Sequence, residues 1–336
     1  MSGLTVAVTG PTGTFGFGLV PLLQADDRIG RIIGIARRPF DPAGHGWSKM
    51  DYRRGDVRDL GTLEAAFAGA DVVIHLAFLI TGNAAPDTIR QINVDGTRNA
   101  FRAAVAAGAY RFVFASSVAA YGFHRDNPVG LTEDWPVRPA ARLFYAREKA
   151  ELERALRDEA VEHPEIGLYL LRPSIVVGPH ALGAKNLVPA PLATLGRRLL
   201  GVAGRVRLPV LVPDVPLQLV HETDVGAAIL RCAVGGGPPG AYNLAAPGVL
   251  SVVDLASELG LTPVPVPAAL VHPAARLLST VPVLPPAAGW VEAASHPAIM
   301  DTTRAQRDLG WKPRYTAREA LRDTLRPEPG TASPHP

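Results

Sequence analysis

The chain has 336 residues, with 34 Lys+Arg against 31 Asp+Glu for a formal net charge of +3; at roughly 100–200 residues per domain, that length predicts two domains or one large one. Hydrophobic residues make up 47% and charged residues 19%, which excludes disorder, and the near-balanced charge, with no basic cluster despite a sequence pI of about 9.2, excludes a nucleic-acid partner. A single cysteine, Cys232, excludes a disulfide framework and a Cys-rich metal site.

The N-terminus carries no basic leader and runs straight into a strand pattern at Leu4–Thr9. Further β-branched or apolar runs follow at Arg31–Ala36, Val72–Ala77, Arg111–Ser117 and Leu168–Arg172, with helix-period segments near 14–24, 59–68, 86–108 and 142–163 between them. Strands alternating with helices of this length predict an α/β fold whose doubly wound parallel sheet is covered on both faces, with ligands at the strands' C-terminal edge. Beyond residue 178 the chain turns apolar and Pro-interrupted over Leu182–Pro216 and again over Leu261–Pro297. Helices are expected at Glu222–Val234, at Ser251–Gly260 with Ser251 as N-cap and Asp254 near a capping box, and at Thr316–Leu325. The expected division is a nucleotide-binding domain over 1–178, a mainly substrate-binding lobe over 179–326 and a frayed tail over 327–336. Segments near 216–246 are expected to return to the first domain, since no polar linker appears. The longest uncharged run, Cys232–Val253, is broken by Gly235-Gly236-Gly237-Pro238-Pro239, so the expectation is a cytoplasmic protein with no membrane partner.

After the first strand comes Thr9-Gly10-Pro11-Thr12-Gly13-Thr14-Phe15-Gly16, followed by a helix pattern. Glycines at 10, 13 and 16 allow a tight turn, close approach to a pyrophosphate and helix–strand packing, and the helix N-terminus supplies a positive dipole end. The second strand ends in Arg37-Arg38, where an NAD site usually carries an acid for the ribose 2′-hydroxyl. Guanidiniums suit a 2′-phosphate, which favours NADP and leaves NAD possible; two solvated surface arginines are the plainer alternative. Asp56, with Val57 after it, is expected to end the third strand near the adenine, with a plain turn aspartate as the alternative.

Two further motifs carry chemistry. Tyr145 and Lys149 stand four apart on one face of a helical stretch, where an ammonium and a positively charged nicotinamide would lower the phenol's pKa from about 10. Ser116-Ser117 places hydroxyls at a strand end, where turn formation is the alternative role. His75, His180, His221 and His272 are scattered without metal-ligand spacing, so no metal site is expected, and His75 reads as a packed histidine. Arg147 and Glu148 read as solvent or interface charges, and Trp290 and Trp311 as packing.

Together these residues resemble an extended short-chain dehydrogenase/reductase of the NAD-dependent epimerase/dehydratase group. The matching motifs are Thr-Gly-x-x-Gly-x-x-Gly at 9–16, Gly-Asp-Val at 55–57, His75-Leu76-Ala77, Asn93-Val94-Asp95-Gly96-Thr97, Ser-Ser-x-x-x-Tyr-Gly at 116–122, Tyr145/Lys149 and Leu171-Arg172-Pro173. Val220–Val225 and Tyr242–Ala245 continue the series, so that ordered matches span nearly the whole chain. The resemblance implies a Rossmann-type sheet with a smaller, interleaved C-terminal lobe. It implies Tyr145 as general acid/base, Lys149 on the nicotinamide ribose, Ser117 on the substrate oxygen and Asn93 as the helix residue that shapes the site. Leu76, Ala77 and Pro173 would line the nicotinamide pocket, and a homodimer would form through the helices at 86–108 and 142–163.

The chain also departs from better-known members. Sugar-nucleotide dehydratases carry Asp-Glu after the catalytic hydroxyl residue, whereas Val118-Ala119 follow Ser117 here. Epimerases usually carry an Arg before the Val-His motif, whereas Leu217-Gln218-Leu219 stand there. Leu187–Pro191, Leu208–Pro213 and Leu261–Ala275 are nearly all apolar; at roughly 25 cal/mol per Å² such a lining would favour an apolar small-molecule substrate, with packing of the small lobe as the plainer alternative. The leading expectation is therefore an NADP-preferring oxidoreductase acting on a secondary alcohol or ketone. An epimerase acting on a nucleotide sugar is the alternative, followed by a non-catalytic NADP(H)-sensing dimer.

Overall fold

The computed structural model describes residues 3–80, 85–141, 143–181, 209–266 and 296–326. Its centre is a seven-stranded parallel sheet. β1 (Leu4–Thr9) lies between β2 (Ile29–Ala36) and β4 (Val72–His75), with β3 (Met50–Arg54) outside β2. Beyond β4 come β5 (Arg111–Ala115), β6 (Gly167–Pro173) and, returning from late in the chain, β11 (Gly240–Leu244). The order β3-β2-β1-β4-β5-β6-β11 reverses direction between β1 and β4, and the crevice at such a switch point is where open α/β sheets take ligands.

Side chains alternate across the sheet as the strand period requires. Val6 and Val8 face one layer with Leu19, Leu23, Val225 and Ile229. Ala7 faces the other with Phe67, Ala100, Phe101, Leu152 and Leu156. The first layer is built by α1 (Thr14–Ala25) and α6 (Glu222–Ala233), whose backbones touch where both lack a side chain. A Cβ on Gly18 would stand 2.3 Å from the Glu222 carbonyl oxygen, and one on Gly226 2.2 Å from the Gly18 carbonyl oxygen.

The opposite layer holds α2 (Leu60–Phe67), α3 (Pro86–Arg90), α4 (Gly96–Ala106) and α5 (Phe144–Glu162). The expected helix at 86–108 is interrupted: Gln91–Asp95 widens into one π turn before α4 begins. α5 buries Leu152 and Leu156 four residues apart and stops at His163, just before Pro164.

Short pairs surround this core: β7 (Ile175–Val177) with β10 (Leu219–His221), β8 (Pro209–Pro213) with β13 (Thr262–Val266), and β9 (Pro216–Leu217) with β12 (Leu250–Ser251). α7 (Val252–Glu258) and α9 (Ala317–Leu325) each open on a full capping box, Ser251/Asp254 and Thr316/Glu319; α8 (Thr303–Asp308) lies between them in sequence. Trp311 is buried and donates its indole N–H to the Asp224 carbonyl at 2.8 Å. Most of the Pro-rich stretches, Trp290, His272 and the tail lie outside the described residues. Among the described residues, no helix is long and apolar enough to cross a membrane.

Candidate active site

The glycine turn is shaped by two close approaches. Gly10 leaves β1 at φ +68°, and a Cβ there would stand 2.9 Å from the Ala77 nitrogen; a Cβ on Gly16 would stand 2.0 Å from the Pro11 carbonyl oxygen. α1 opens at Gly13 with no side-chain cap, leaving the positive end of the helix dipole beside that turn. This is a cradle that side chains would fill, at the switch point, and a dinucleotide's diphosphate fits it. Thr12, Gly13, Thr14 and Phe15 are partly buried around it; the Thr14 hydroxyl donates to the His180 carbonyl at 3.0 Å, and Phe15 packs on the core.

Across the crevice, a buried chain of hydrogen bonds sets the β4 exit. Thr97 donates to the Asn93 carbonyl at 2.5 Å, so its oxygen accepts from His75 Nε2 at 3.0 Å, and His75 Nδ1 accepts from Thr9 Oγ1 at 2.8 Å. Thr9 Oγ1 in turn accepts from the Leu76 and Ala77 amides at 3.2 and 3.3 Å. His75 is thus the neutral Nε2–H tautomer, and burial, helped by the Lys149 charge, pushes its pKa down to about 3. Leu76 and Ala77, expected at the nicotinamide, are held from beneath by this chain.

Asn93, on the π turn, is fully committed. Its Oδ1 accepts from the Leu79 amide at 2.7 Å, while Nδ2 donates to the Leu79 carbonyl at 2.9 Å and to Glu148 Oε2 at 2.8 Å. It therefore ties the loop after β4 to α5. Glu148 is buried in this contact, a correction to its reading as a solvent or interface charge; only Arg147 is exposed.

The catalytic candidates converge where α5 meets the β5 exit. Ser117 hydrogen-bonds the Tyr145 side chain and accepts from the Ala119 amide at 3.1 Å. One turn along α5, Lys149 Nζ donates to the Ala115 carbonyl at 2.6 Å. Phe78, the residue after Ala77, joins the two halves, its ring edge-on to Tyr145 at 5.6 Å and its centre 3.5 Å from Lys149 Nζ.

The protein's own groups do not supply the positive charge that the expected lowering of the Tyr145 phenol takes in part from the nicotinamide. Burial pushes the Tyr145 phenol up to about 12, with only the Ser117 hydrogen bond working against it, and burial pushes Lys149 down to about 7 against support from Glu148 and Glu153. Lys149 Nζ lies 5.7 Å from the Tyr145 ring centre and spends a proton on a carbonyl, too far and too committed to offset the phenol's desolvation.

The remaining expected residues are dispersed. Arg37 and Arg38 are exposed just past β2, their carbonyls accepting from Arg54 Nε at 3.0 Å and the Tyr52 hydroxyl at 2.5 Å. β3 stops at Arg54, so Asp56 lies beyond the strand it was expected to end. Asp56 accepts from the Arg58 guanidinium and amide, which with the Arg37 charge hold its carboxyl below the usual range. Val57 is buried against Gly96, and Pro173 is buried at the β6 exit. Sequence reasoning missed Phe78, Thr97, Glu148 and Glu153. Nothing in a Glu-rich helix pattern separates the buried Glu148 and Glu153 from the half-buried Glu151.

A family model described as the NAD dependent epimerase/dehydratase family matches residues 6–245. An uncharacterised protein of Mycobacterium tuberculosis is 28% identical over 329 residues, covering 96% of this chain and 83% of the relative. Among solved structures, UDP-glucose 4-epimerase of Thermotoga maritima with UDP-glucose superposes with a TM-score of 0.71 at 19% identity, covering 96% of this chain and 97% of that one. MoeE5 in complex with UDP-glucuronic acid and NAD gives 0.69 at 23% identity, covering 96% and 97%. These likenesses carry the fold, and the match over residues 6–245 carries the membership: the chain belongs to the NAD-dependent epimerase/dehydratase family.

Proposed function

We propose that this protein is an NAD(P)-dependent epimerase that inverts a carbon of a nucleotide-linked sugar through oxidation and re-reduction at a secondary hydroxyl. The observation that carries the reading is the convergence of Ser117, Tyr145 and Lys149 at the β5 exit, with buried Val118 and Ala119 as the next residues. Neither can move a proton, so elimination has no acid/base pair there, while a reversible redox step needs none beyond Tyr145. Solved structures of the same fold hold UDP-sugars and NAD, which favours this substrate class over the apolar alcohol.

The Tyr145 oxygen takes the substrate hydroxyl proton and returns it, and the Ser117 hydroxyl, bonded to Tyr145, holds the same substrate oxygen. The glycine turn would hold the diphosphate, Lys149 the nicotinamide ribose, and Arg37 and Arg38 support a 2′-phosphate. The chemistry that NAD(P) supplies when bound is acceptance and return of a hydride. A positive charge beside Tyr145 is what its buried phenol needs to ionise near neutral pH. The outer faces of α4 and α5 are the proposed dimer contact.

An oxidoreductase for an apolar alcohol or ketone is the second reading, favoured by Ile175, which is 41% exposed two residues past Pro173. The test is incubation with NAD or NADP and UDP- or dTDP-sugars, following stereochemical inversion by NMR and net cofactor reduction by absorbance. Inversion without net reduction, falling about 10²–10⁴-fold in Tyr145→Phe, is expected. Net stoichiometric reduction by apolar alcohols without inversion replaces it with the second reading, and wild-type turnover by Tyr145→Phe overturns both.

A further inference from the structure

Three consecutive residues at the β5 exit are each taken by a different turn of α5. Ala115 accepts from Lys149, Ser117 bonds Tyr145, and between them Ser116 Oγ donates to Glu153 Oε1 at 2.6 Å. Glu153 is 1% exposed, and its two oxygens also accept from Arg172 Nε at 2.8 Å and Nη2 at 2.5 Å. Arg172, also 1% exposed, directly precedes Pro173 and donates through Nη1 to the Tyr121 hydroxyl at 2.7 Å. Tyr121 donates onward to Asn243 on β11 at 2.8 Å. One carboxylate thus joins the catalytic helix to the exits of β5 and β6, and through Tyr121 to β11.

Stability alone does not call for this arrangement, because a buried ion pair is often replaceable by apolar residues at no loss. We propose that Glu153 is a positioning residue of the reaction centre, fixing the Ser116–Ser117 and Arg172–Pro173 strand ends against the helix that carries Tyr145 and Lys149. The inference rests on Tyr145 and Lys149 being the reacting pair, and not on which substrate they meet. Glu153 also bears on Lys149 electrostatically. Glu148, Glu153 and Tyr145 face the ammonium from its own helix and neutral His75 from β4, and the two carboxylates support its charge against burial. Arg157 lies 3.6 Å from Glu153 on the solvent side. The pair itself is ionised: burial works to raise the Glu153 carboxyl, but Arg172 and Ser116 outweigh it and hold it low.

The test uses the full chain with ε-¹³C-labelled lysine. Only Lys49, Lys149, Lys185 and Lys312 contribute signals, and Lys149 is assigned by its loss in Lys149→Met. Glu153→Gln is expected to titrate Lys149 at least about half a pH unit lower than wild type, since it removes a supporting charge and exposes that of Arg172. Should Glu153→Gln not fold, Glu153→Leu/Arg172→Met replaces the pair by apolar residues of similar size, and must show a shift of the same sign. A separate arm, with the sugar nucleotide that is turned over, expects Ser116→Ala to lose about tenfold in kcat with KM little changed and Ser116→Thr to restore it. An unmoved Lys149 titration in a folded variant, or wild-type kcat in Ser116→Ala, overturns the proposal. Absence of any sugar turnover sinks the epimerase reading alone, because the lysine titration needs no substrate.

Discussion

The Lys149 ammonium lies 3.5 Å from the centre of the Phe78 ring, in a pocket where burial has brought its pKa down to about 7. A charged amine in such a place is held at a cost, which the cation–π contact and the Ala115 hydrogen bond offset only in part. Below pH 7 both the folded and the unfolded chain hold this proton, so the full penalty is present. Between about 7 and the unfolded value of 10.5, the folded chain gives the proton up first and the penalty shrinks. Lys149→Met is therefore expected to abolish turnover while raising stability at pH 7 by about 1–2 kcal/mol, roughly 1.5–3 °C in Tm for a chain of this size. The gain should fade toward pH 10. A lower Tm at pH 7, or a gain independent of pH, contradicts the account.

His75 carries the opposite consequence at the acid end. Its folded pKa of about 3 lies below the unfolded value of about 6.5, so the unfolded chain binds more protons between those limits. Stability is complete above pH 6.5 and is lost as pH falls toward 3, at about 1.4 kcal/mol per unit for this one group. His75→Gln keeps hydrogen-bonding atoms between Thr9 and Thr97 but cannot titrate. Urea unfolding at pH 6.5, 5.5 and 4.5 should show wild type losing about 2–3 kcal/mol more than the variant across that window. Parallel losses would mean that the histidine does not carry the acid sensitivity.

The parts of the fold that were legible are those with local causes. The apolar run Leu4–Thr9 marks a strand, Gly10 and Gly16 mark the turn, and Ser251/Asp254 cap their helix within four residues. The candidate reactive pair was legible for the same reason, since Tyr145 and Lys149 lie one helical turn apart. What stayed hidden is what the fold brings together over long separations. Asn93 meets Glu148 across 55 residues, Tyr121 meets Asn243 across 122, and Thr9 meets His75 across 66. The strong burial of the Tyr145 phenol was not legible either, because desolvation depends on packing that only the assembled β5, α5 and Phe78 create.

The choice of dinucleotide rests on a different edge of the sheet. Arg37 and Arg38 leave β2 exposed, and Arg37 reaches electrostatically to Asp56 just beyond β3. A 2′-phosphate placed between these loops would gain charge-assisted bonds from the guanidiniums, each worth about 1.5–3 kcal/mol, whereas a 2′-hydroxyl would gain little. Arg37→Ala is expected to weaken NADP binding by roughly 10–100-fold in fluorescence titration of the reduced cofactor and to change NAD binding less than about threefold. Equal losses for both cofactors would make Arg37 a general contributor to the adenosine end. An unchanged NADP affinity would leave it a solvated surface charge and return the preference to NAD, the cofactor held by MoeE5, a structure of the same fold.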